Sequence, residues 1–344
     1  MINLLGIRWS GRISLEFEVW SLKLMNKITA ILIAFLFVSC THKPQKINYE
    51  GIAQGSYFAI TYYDEEGRTF EAEIDSILRA VDNSVSLWNE NSIIRKVNRN
   101  EYVVVDQIFK DNFEWARKAS EFSDGAFDAT IGPLVSAWGF HYKKELEMTP
   151  ETVDSIRQLV DYQNITIVDD KVVKANPNMT LDFNAVAQGY TTDIIGNFLE
   201  TKGIYNYLVD VGGEILARGT KPNGDLWTIG IEKPAENYDS ERSVQIKLEL
   251  KDKGIVTSGN YRKYIEKDGV RYSHSIDPKT GYPVEQNLLS ATVIADNASW
   301  ADCLATICMI VGKEKASKLL EGQGVEAYFI FVENGKIQTE WINP

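Results

Sequence analysis

The chain has 344 residues, of which 44% are hydrophobic and 24% are charged, and this composition is typical of a globular protein rather than a disordered or fibrous one. Its formal net charge of −12 at pH 7 argues against binding to nucleic acid, which requires a basic surface to displace the counterions of phosphates. A nucleotide-sized ligand is still compatible with this charge, because a metal ion and backbone N–H groups can hold its phosphates.

The N-terminal region predicts export and lipid attachment. Lys27 precedes an apolar run at residues 28–38, and Ser39 and Cys40 follow it. The run has the length of a signal peptide and is too short to cross a bilayer comfortably. The segment resembles a bacterial lipoprotein signal, in which Cys40 becomes the lipidated first residue and its acyl chains enter the membrane. An ordinary anchor with an incidental cysteine is the alternative.

Residues 1–24 do not fit an export signal, because they place Glu16 and Glu18 ahead of the apolar run. We interpret them as a non-native extension caused by an incorrectly assigned start codon, with Met25 as the true start. The chain is therefore expected to have four parts: the extension at 1–24, a lipoprotein signal peptide at 25–39, a lipid anchor and tether at 40–49, and a folded domain at 50–344.

The first half of the folded part is predicted to be mainly helical. Residues 70–88 and 107–122 carry apolar side chains at spacings of three and four, which is the pattern of an amphipathic helix. Two helices are expected to interrupt the second half of the chain. One should follow Asp182, because apolar residues recur every four positions from 186 to 198. Another should span roughly 300–311.

The second half is predicted to consist mainly of strands and hairpins. Residues 244–250 alternate strictly between apolar and polar side chains, and Asn223-Gly224 and Asp268-Gly269 stand between extended runs, as hairpin turns do. The sequence therefore predicts an α+β fold with a mainly helical first half and largely antiparallel strands in the second half, arranged as two lobes around one site.

Two Gly-containing stretches offer ligand contacts. Residues 123–128 are mostly small, so their backbone N–H groups could approach a flat ring or a phosphate, although a helix-connecting loop is an equal alternative. Asp182 lies where a predicted strand meets a helix, and the first N–H groups of that helix would attract an anion. The alternative is that Asp182 only caps the helix.

Two further stretches are weaker signals when taken alone. Gly212-Gly213 follows an apolar strand, which suits either a β-bulge or the wall of a ligand site. Ser258-Gly259 also follows an extended run, and it allows the same two interpretations.

Asp302 and Thr306 are four residues apart and therefore share one face of the predicted helix. A carboxylate and a hydroxyl in this arrangement could contribute oxygen ligands to Mg²⁺. Ser299 and Asp302 also match a capping box, however, and the spacing alone favours that explanation. A zinc site is disfavoured, because the few cysteines and histidines are scattered and form no CxxC spacing: Cys40, Cys303, Cys308, His42, His141 and His274.

The stretch SHSIDPKTGYP, residues 273–283, places His274 three residues before Asp277. Both side chains could serve proton transfer, since an imidazole titrates near neutral pH. Asp followed by Pro is also an ordinary start of a turn. The residues alone leave both explanations open.

Together and in this order, these motifs resemble the ApbE family of FAD:protein FMN transferases, and the resemblance runs from about Gly55 to Gly312. It rests on six ordered motifs, which read GAFDATIGPLVSAWGF, LDFNAVAQGYTTD, LVDVGGEI, TSGNYRKY, HSIDPKTGYP and ADCLAT.

The resemblance implies a role for each candidate residue. Mg²⁺ would be bound by the main-chain oxygen of Ala185 and by the side chains of Asp302 and Thr306. Gln188 departs from the family pattern, which commonly has Lys or Glu there, so it keeps hydrogen-bonding capacity without charge. The residues implied in contact with FAD are Gln54, Trp88, Ala126, Phe127, Asp128, Asp182, Gln188, Ser258 and Ile276.

The implied activity is a Mg²⁺-dependent transfer of FMN from FAD to a Thr or Ser hydroxyl of an acceptor flavoprotein, with release of AMP. His274 is the first choice for the base that accepts the hydroxyl proton, and Asp277 is the second. The implied location is the bacterial cell membrane, facing the periplasm or exterior, through lipidated Cys40. Two alternatives remain: an FAD-binding or storage lipoprotein, and a hydrolase that splits FAD into FMN and AMP.

Overall fold

The computed structural model describes Trp20, Met25 and residues 43–140, 146–234, 243–260, 264–267, 270–273 and 275–343, with only the backbone for 264–267 and 270–273. The chain divides into two compact units, residues 1–43 and residues 44–344. The predicted lipidation site Cys40, and the signal peptide apart from Met25, lie outside the described residues. No helix in the described part of the chain is both long and apolar enough to span a membrane.

An eight-stranded antiparallel sheet forms the centre of the second unit, in the order β1-β2-β5-β6-β9-β12-β13-β14. Its strands, numbered along the chain, are β1 Gln45–Ala53, β2 Ser56–Asp64, β5 Tyr207–Val211, β6 Glu214–Arg218, β9 Lys253–Gly259, β12 Leu288–Ala295, β13 Glu326–Glu333 and β14 Lys336–Ile342. Three separate antiparallel pairs are β3 Ile165–Val168 with β4 Lys171–Lys174, β7 Trp227–Glu232 with β8 Val244–Leu250, and β10 Tyr264–Lys267 with β11 Val270–Ser273.

Eight α-helices lie among the described residues: α1 Glu71–Val85, α2 Ile93–Asn98, α3 Gln107–Phe122, α4 Gly132–Ala137, α5 Pro150–Arg157, α6 Ala187–Thr201, α7 Ala298–Val311 and α8 Lys313–Leu320. The predicted helix at 107–122 has the observed bounds of α3, and the other three predicted helices correspond to α1, α6 and α7. Helices and antiparallel sheets together confirm the α+β class.

The central sheet has a hydrophobic cluster on each face. Along β9, Val256 belongs to the largest cluster, with α3 and α7, whereas its neighbour Ile255 packs with Trp227 and Leu250 of the β7–β8 pair. This alternation follows from the pleat of a strand, whose successive side chains point to opposite faces. Helix α7 is buried on nearly every side and contacts β9, β12, α6 and α3. It is the central helix of the fold.

Two predictions about the connections are wrong. The predicted tether at 40–49 overlaps β1, because Gln45 pairs with Asp64 and residues 45–49 belong to the sheet. Asn223-Gly224 does form a turn, but its flanking strands do not pair with each other, since β6 pairs with β5 and β9, and β7 pairs with β8. β10 and β11 pair as the second predicted hairpin requires, while its turn residues 268–269 are outside the described part.

Candidate active site at the junction of α6 and α7

The Asp302 side chain lies at the first turn of α6. Its Oδ2 atom accepts the Gly189 N–H at 3.2 Å, and only 5% of the residue is exposed. Glycine is required at 189, because a Cβ there would lie 2.6 Å from the Ala298 carbonyl oxygen and 2.9 Å from the Asp302 Cβ. The close contact of α6 with α7 therefore places a buried carboxylate at the positive end of the α6 dipole.

Other residues cap the start of α7, so the predicted Ser299–Asp302 capping box is wrong. The N-cap is Asn297, whose side chain accepts the Trp300 N–H at 2.8 Å. Asp193 of α6 accepts the N–H groups of Ala298 and Ser299, each at 2.8 Å, and the Ser299 hydroxyl at 2.5 Å. Asp302 therefore takes no part in capping α7; the helix start that it contacts is that of α6, through the Gly189 N–H.

Two more oxygen atoms belong to the predicted cation site. The Thr306 hydroxyl, one turn after Asp302, lies 3.5 Å from the Ser258 hydroxyl of β9. The Ala185 carbonyl precedes the α6 N-cap Val186, and no hydrogen bond to it is found from the described residues. A carboxylate, a hydroxyl and a carbonyl are hard oxygen donors, which suit Mg²⁺. The set holds one carboxylate, and no three His, Cys, Asp or Glu side chains converge elsewhere within the described ranges.

Burial raises the pKa of Asp302 to about 7, and the nearby Asp193 carboxylate adds to this increase. Burial also raises the pKa of Asp193. A bound cation would favour the ionised form of Asp302, because an opposite charge stabilises a carboxylate that has been removed from water.

Asp182 does not cap α6, so that alternative is wrong. The helix begins at Ala187, and its N-cap residue is Val186, whose side chain makes no capping hydrogen bond. Instead the Asp182 Oδ1 atom accepts the Asn184 N–H at 2.8 Å, and the Asp182 N–H donates to the Ala129 carbonyl at 2.8 Å. This backbone contact joins the LDFNA segment to the GAFDA segment.

The GAFD segment is a buried loop that its own side chains hold in shape. The Asp128 carboxylate accepts the N–H and hydroxyl of Thr130, both at 2.7 Å, and the Tyr162 N–H at 2.9 Å. Burial raises the pKa of Asp128 despite these donors. Ala126 and Phe127 are also buried, and the Phe127 N–H donates to the Ser123 hydroxyl.

The DPKTGYP stretch is a tight turn. The Asp277 Oδ1 atom accepts the Lys279 N–H at 2.8 Å, and the Asp277 carbonyl accepts the Gly281 N–H. These bonds favour a turn-shaping role for Asp277, while His274 lies outside the described residues. Ile276 is buried and forms an isolated bridge with Pro283.

This turn packs against the GAFD segment and its continuation. The Trp138 indole N–H donates to the Gly281 carbonyl at 2.9 Å, and the Lys279 ammonium lies 2.8 Å from the Asp124 carboxylate. Three motifs that are far apart in sequence are thus adjacent, because the GAFD segment contacts both the turn and the LDFNA segment.

Gln188 and Gln54 lie on the α6 side of the site. A Cβ at Gly212 would lie 2.3 Å from the Gln188 Nε2 atom, so the double glycine allows the Gln188 amide to approach the turn between β5 and β6. Gln54, in the β1–β2 turn, donates from Nε2 to the Thr191 hydroxyl of α6 at 2.7 Å. The remaining predicted contact, Trp88, follows α1 and is 63% exposed.

Sequence reasoning assigned no role to Asp193 or Gly189, although both stand inside the AVAQGYTTD segment. Their partners are more than 100 residues away along the chain. An acidic residue four positions after a glycine on the same helix face was the only signal available.

Comparison with known proteins identifies similar chains. The ApbE family model matches residues 54–329. FAD:protein FMN transferases of Vibrio cholerae and of Escherichia coli K12 are each 32% identical, over 89% and 93% of this chain and over 93% and 95% of their own lengths. The solved flavin transferase ApbE of Vibrio cholerae has a TM-score of 0.78 at 29% identity, covering 87% of this chain and 98% of that one. The apo flavinyl transferase ApbE of Pseudomonas stutzeri also has a TM-score of 0.78, at 32% identity, over 87% and 95% of the two chains.

Proposed function

The chain belongs to the ApbE family, and we propose that it is a Mg²⁺-dependent FAD:protein FMN transferase. It cleaves the pyrophosphate of FAD, attaches FMN by a phosphoester bond to a Thr or Ser side chain of an acceptor flavoprotein, and releases AMP. The names of the similar chains support the transferase activity. Protein flavinylation is thus the process in which this protein takes part.

The observation that carries the proposal is the position of Asp302. Its carboxylate is buried at the start of α6, one helical turn before the Thr306 hydroxyl and beside the segment that contains the Ala185 carbonyl. These three residues would hold Mg²⁺, which supplies positive charge to offset the charge of a pyrophosphate. A protein that only stored flavin would gain little from such a site, so the arrangement favours the transferase over the storage lipoprotein.

The protein groups around this site would bind and orient FAD. A backbone hydrogen bond joins Asp182 to Ala129, directly after the AFD loop, and the Trp138 indole joins the continuation of this loop to the turn of the DPKTGYP stretch. Loops whose side chains satisfy their own polar groups keep a fixed shape, which suits the positioning on which phosphoryl-type transfers depend. The proposed FAD contacts are Gln54, Trp88, Ala126, Phe127, Asp128, Asp182, Gln188, Ser258 and Ile276.

His274 is the proposed base. It would accept the proton of the acceptor hydroxyl as the hydroxyl oxygen bonds to the FMN phosphorus and the bond to the AMP phosphate breaks. The acceptor thereby gains FMN less one water molecule, and AMP carries the other phosphate. Asp277 would shape the turn that follows His274, in keeping with its bond to Lys279.

We also propose that lipidated Cys40 anchors the protein to a bacterial membrane, where it faces the periplasm or exterior. The apolar run that precedes Cys40 supports this location. Cys40→Ala should abolish incorporation of labelled fatty acid. Unchanged labelling would show that the cysteine is incidental.

The function can be tested by incubating the protein with FAD, Mg²⁺ and a membrane flavoprotein subunit, and then measuring the mass of the subunit. The proposal predicts an increment of FMN less water, together with one AMP for each modified subunit. AMP and FMN in solution with an unmodified subunit would instead identify the hydrolase. Bound, intact FAD would identify the storage protein.

A further inference from the structure

Helices α6 and α7 are joined by the carboxylate of Asp193. Its Oδ1 atom accepts the Ala298 N–H, and its Oδ2 atom accepts both the N–H and the hydroxyl of Ser299. These are the first two residues of α7, whose N–H groups have no partner within their own helix. A neighbouring helix thus supplies the acceptors that the start of α7 lacks.

A second contact joins the same faces of the two helices. Gly189 lies four residues before Asp193 on α6, and Asp302 lies four residues after Ala298 on α7, so each pair shares a face. The Gly189 N–H reaches Asp302 directly. Two contacts about one turn apart fix both the translation and the rotation of α7 against α6.

The surrounding residues keep the contact between α6 and α7 rigid. Ser299 is 1% exposed, and a Cβ at Gly254 of β9 would lie 2.5 Å from the Ala298 nitrogen, so the start of α7 is also pressed against the sheet. Close-packed interiors transmit small shifts instead of absorbing them. A change at Asp193 is therefore expected to move Asp302.

We propose that Asp193 is a positioning residue for the cation site: by holding the first turn of α7 on α6, it sets where the Asp302 carboxylate lies. This inference rests on the cation site of the proposed function. Asp193, the aspartate of the GYTTD segment, contacts neither FAD nor the acceptor nor the metal in this proposal. It acts only by holding the start of α7.

The test begins with Asp193→Asn. Asparagine keeps one acceptor oxygen but turns an NH₂ group toward N–H donors, so the hydrogen bonds to either Ala298 or Ser299 are lost. We expect Mg²⁺ affinity, measured by calorimetry on the FAD-free protein, to fall about tenfold, a usual scale for losing support behind a metal ligand. In a crystal structure of the variant, the distance from Gly189 N to Asp302 Oδ2 should exceed the 3.2 Å of the parent.

Two further variants separate positioning from charge and from general stability. Ser299→Ala keeps both carboxylates and removes only the hydroxyl's hydrogen bond to Asp193, so weaker Mg²⁺ binding, by about threefold, cannot come from charge. Asp64→Asn alters another buried carboxylate, whose hydrogen bonds go to Arg68. It should lower the melting temperature while leaving Mg²⁺ affinity unchanged.

The inference is overturned if Asp193→Asn binds Mg²⁺ with the affinity of the parent and Asp302 still accepts the Gly189 N–H. If Asp193→Asn does not fold, parent-like Mg²⁺ affinity in Ser299→Ala overturns it instead. A parent protein that binds no Mg²⁺ overturns it as well. A parent that binds Mg²⁺ but transfers no FMN contradicts only the proposed function. The role of Asp193 is still decided by comparing the Mg²⁺ affinity and the position of Asp302 between the parent and the variants.

Discussion

Replacing Gly189 by alanine tests whether the close contact of α6 with α7 is needed for activity. The added Cβ would lie 2.6 Å from the Ala298 oxygen and 2.9 Å from both the Ala298 carbonyl carbon and the Asp302 Cβ. Ordinary van der Waals contact begins near 3.4 Å. Backbone atoms of a packed core cannot rotate away as side chains can, so the helices must separate by about 0.8 Å.

The expected magnitudes follow from this separation. Overpacking costs about 1–3 kcal/mol, of which the better helix propensity of alanine returns up to about 1 kcal/mol, so the variant should fold with a melting temperature lower by a few degrees. A displacement approaching 1 Å at the reacting groups costs on the order of 10²-fold in rate. FMN transfer should therefore fall much more than stability.

The matched control is Gly196→Ala, two turns further along α6. Its Cβ would lie 2.6 Å from a Leu216 methyl group and 2.7 Å from the Tyr207 hydroxyl, which are side-chain atoms. It should lose comparable stability and keep its rate of transfer. Thermal melts and initial rates of acceptor labelling measure both effects. If Gly189→Ala transfers FMN at the rate of Gly196→Ala, the close contact is not required and the reasoning fails.

Three other predictions concern Asp302, His274 and Asp210. Asp302→Asn should keep its melting temperature, since the asparagine oxygen can still accept the Gly189 N–H, but lose Mg²⁺-dependent transfer. Normal turnover in an acceptor-labelling assay would contradict the metal assignment. His274→Ala should slow transfer by about 10²-fold with FAD affinity unchanged, and it should remove the ascending limb of the pH–rate profile. Weaker FAD binding, with recovery of the rate at saturating FAD, would instead indicate a binding role for His274. Burial raises the pKa of Asp210, so its contribution to stability is present below its unfolded pKa and is lost as the pH rises through the folded pKa. Asp210→Asn can still accept from Gly213 N–H and bond to the Tyr57 hydroxyl, so its melting temperature relative to the parent should rise between pH 4 and pH 7, and a constant difference would refute this.

Local patterns in the sequence predicted four of the eight helices that the structure describes. The bounds of α3 agree with prediction because apolar spacing and a capping aspartate, Asp106, both mark its limits. The start of α7 was mispredicted, because Ser299 matched a capping box while Asn297 and the distant Asp193 supply the real caps. A local pattern cannot reveal a cap that comes from another helix.

The candidate site was predicted only as separate motifs. The i, i+4 spacing placed Asp302 and Thr306 on one face, but nothing in the sequence alone indicated that Gly189 would meet Asp302. The strand order of the central sheet was not predicted either, since β6 pairs with β9 although β7 and β8 lie between them in the chain. Such pairings depend on long-range packing, and only the resemblance to the ApbE family brought these motifs together in advance.

The central claim is that the α6–α7 junction builds an oxygen site for a divalent cation. Anomalous diffraction from crystals grown with FAD and Mn²⁺ in place of Mg²⁺ tests it most directly. We expect one strong peak at about 2.1–2.2 Å from the Asp302 carboxylate, the Thr306 hydroxyl and the Ala185 carbonyl, and no such peak in Asp302→Asn crystals. A peak elsewhere, or none at this junction in crystals that hold FAD, would contradict the claim.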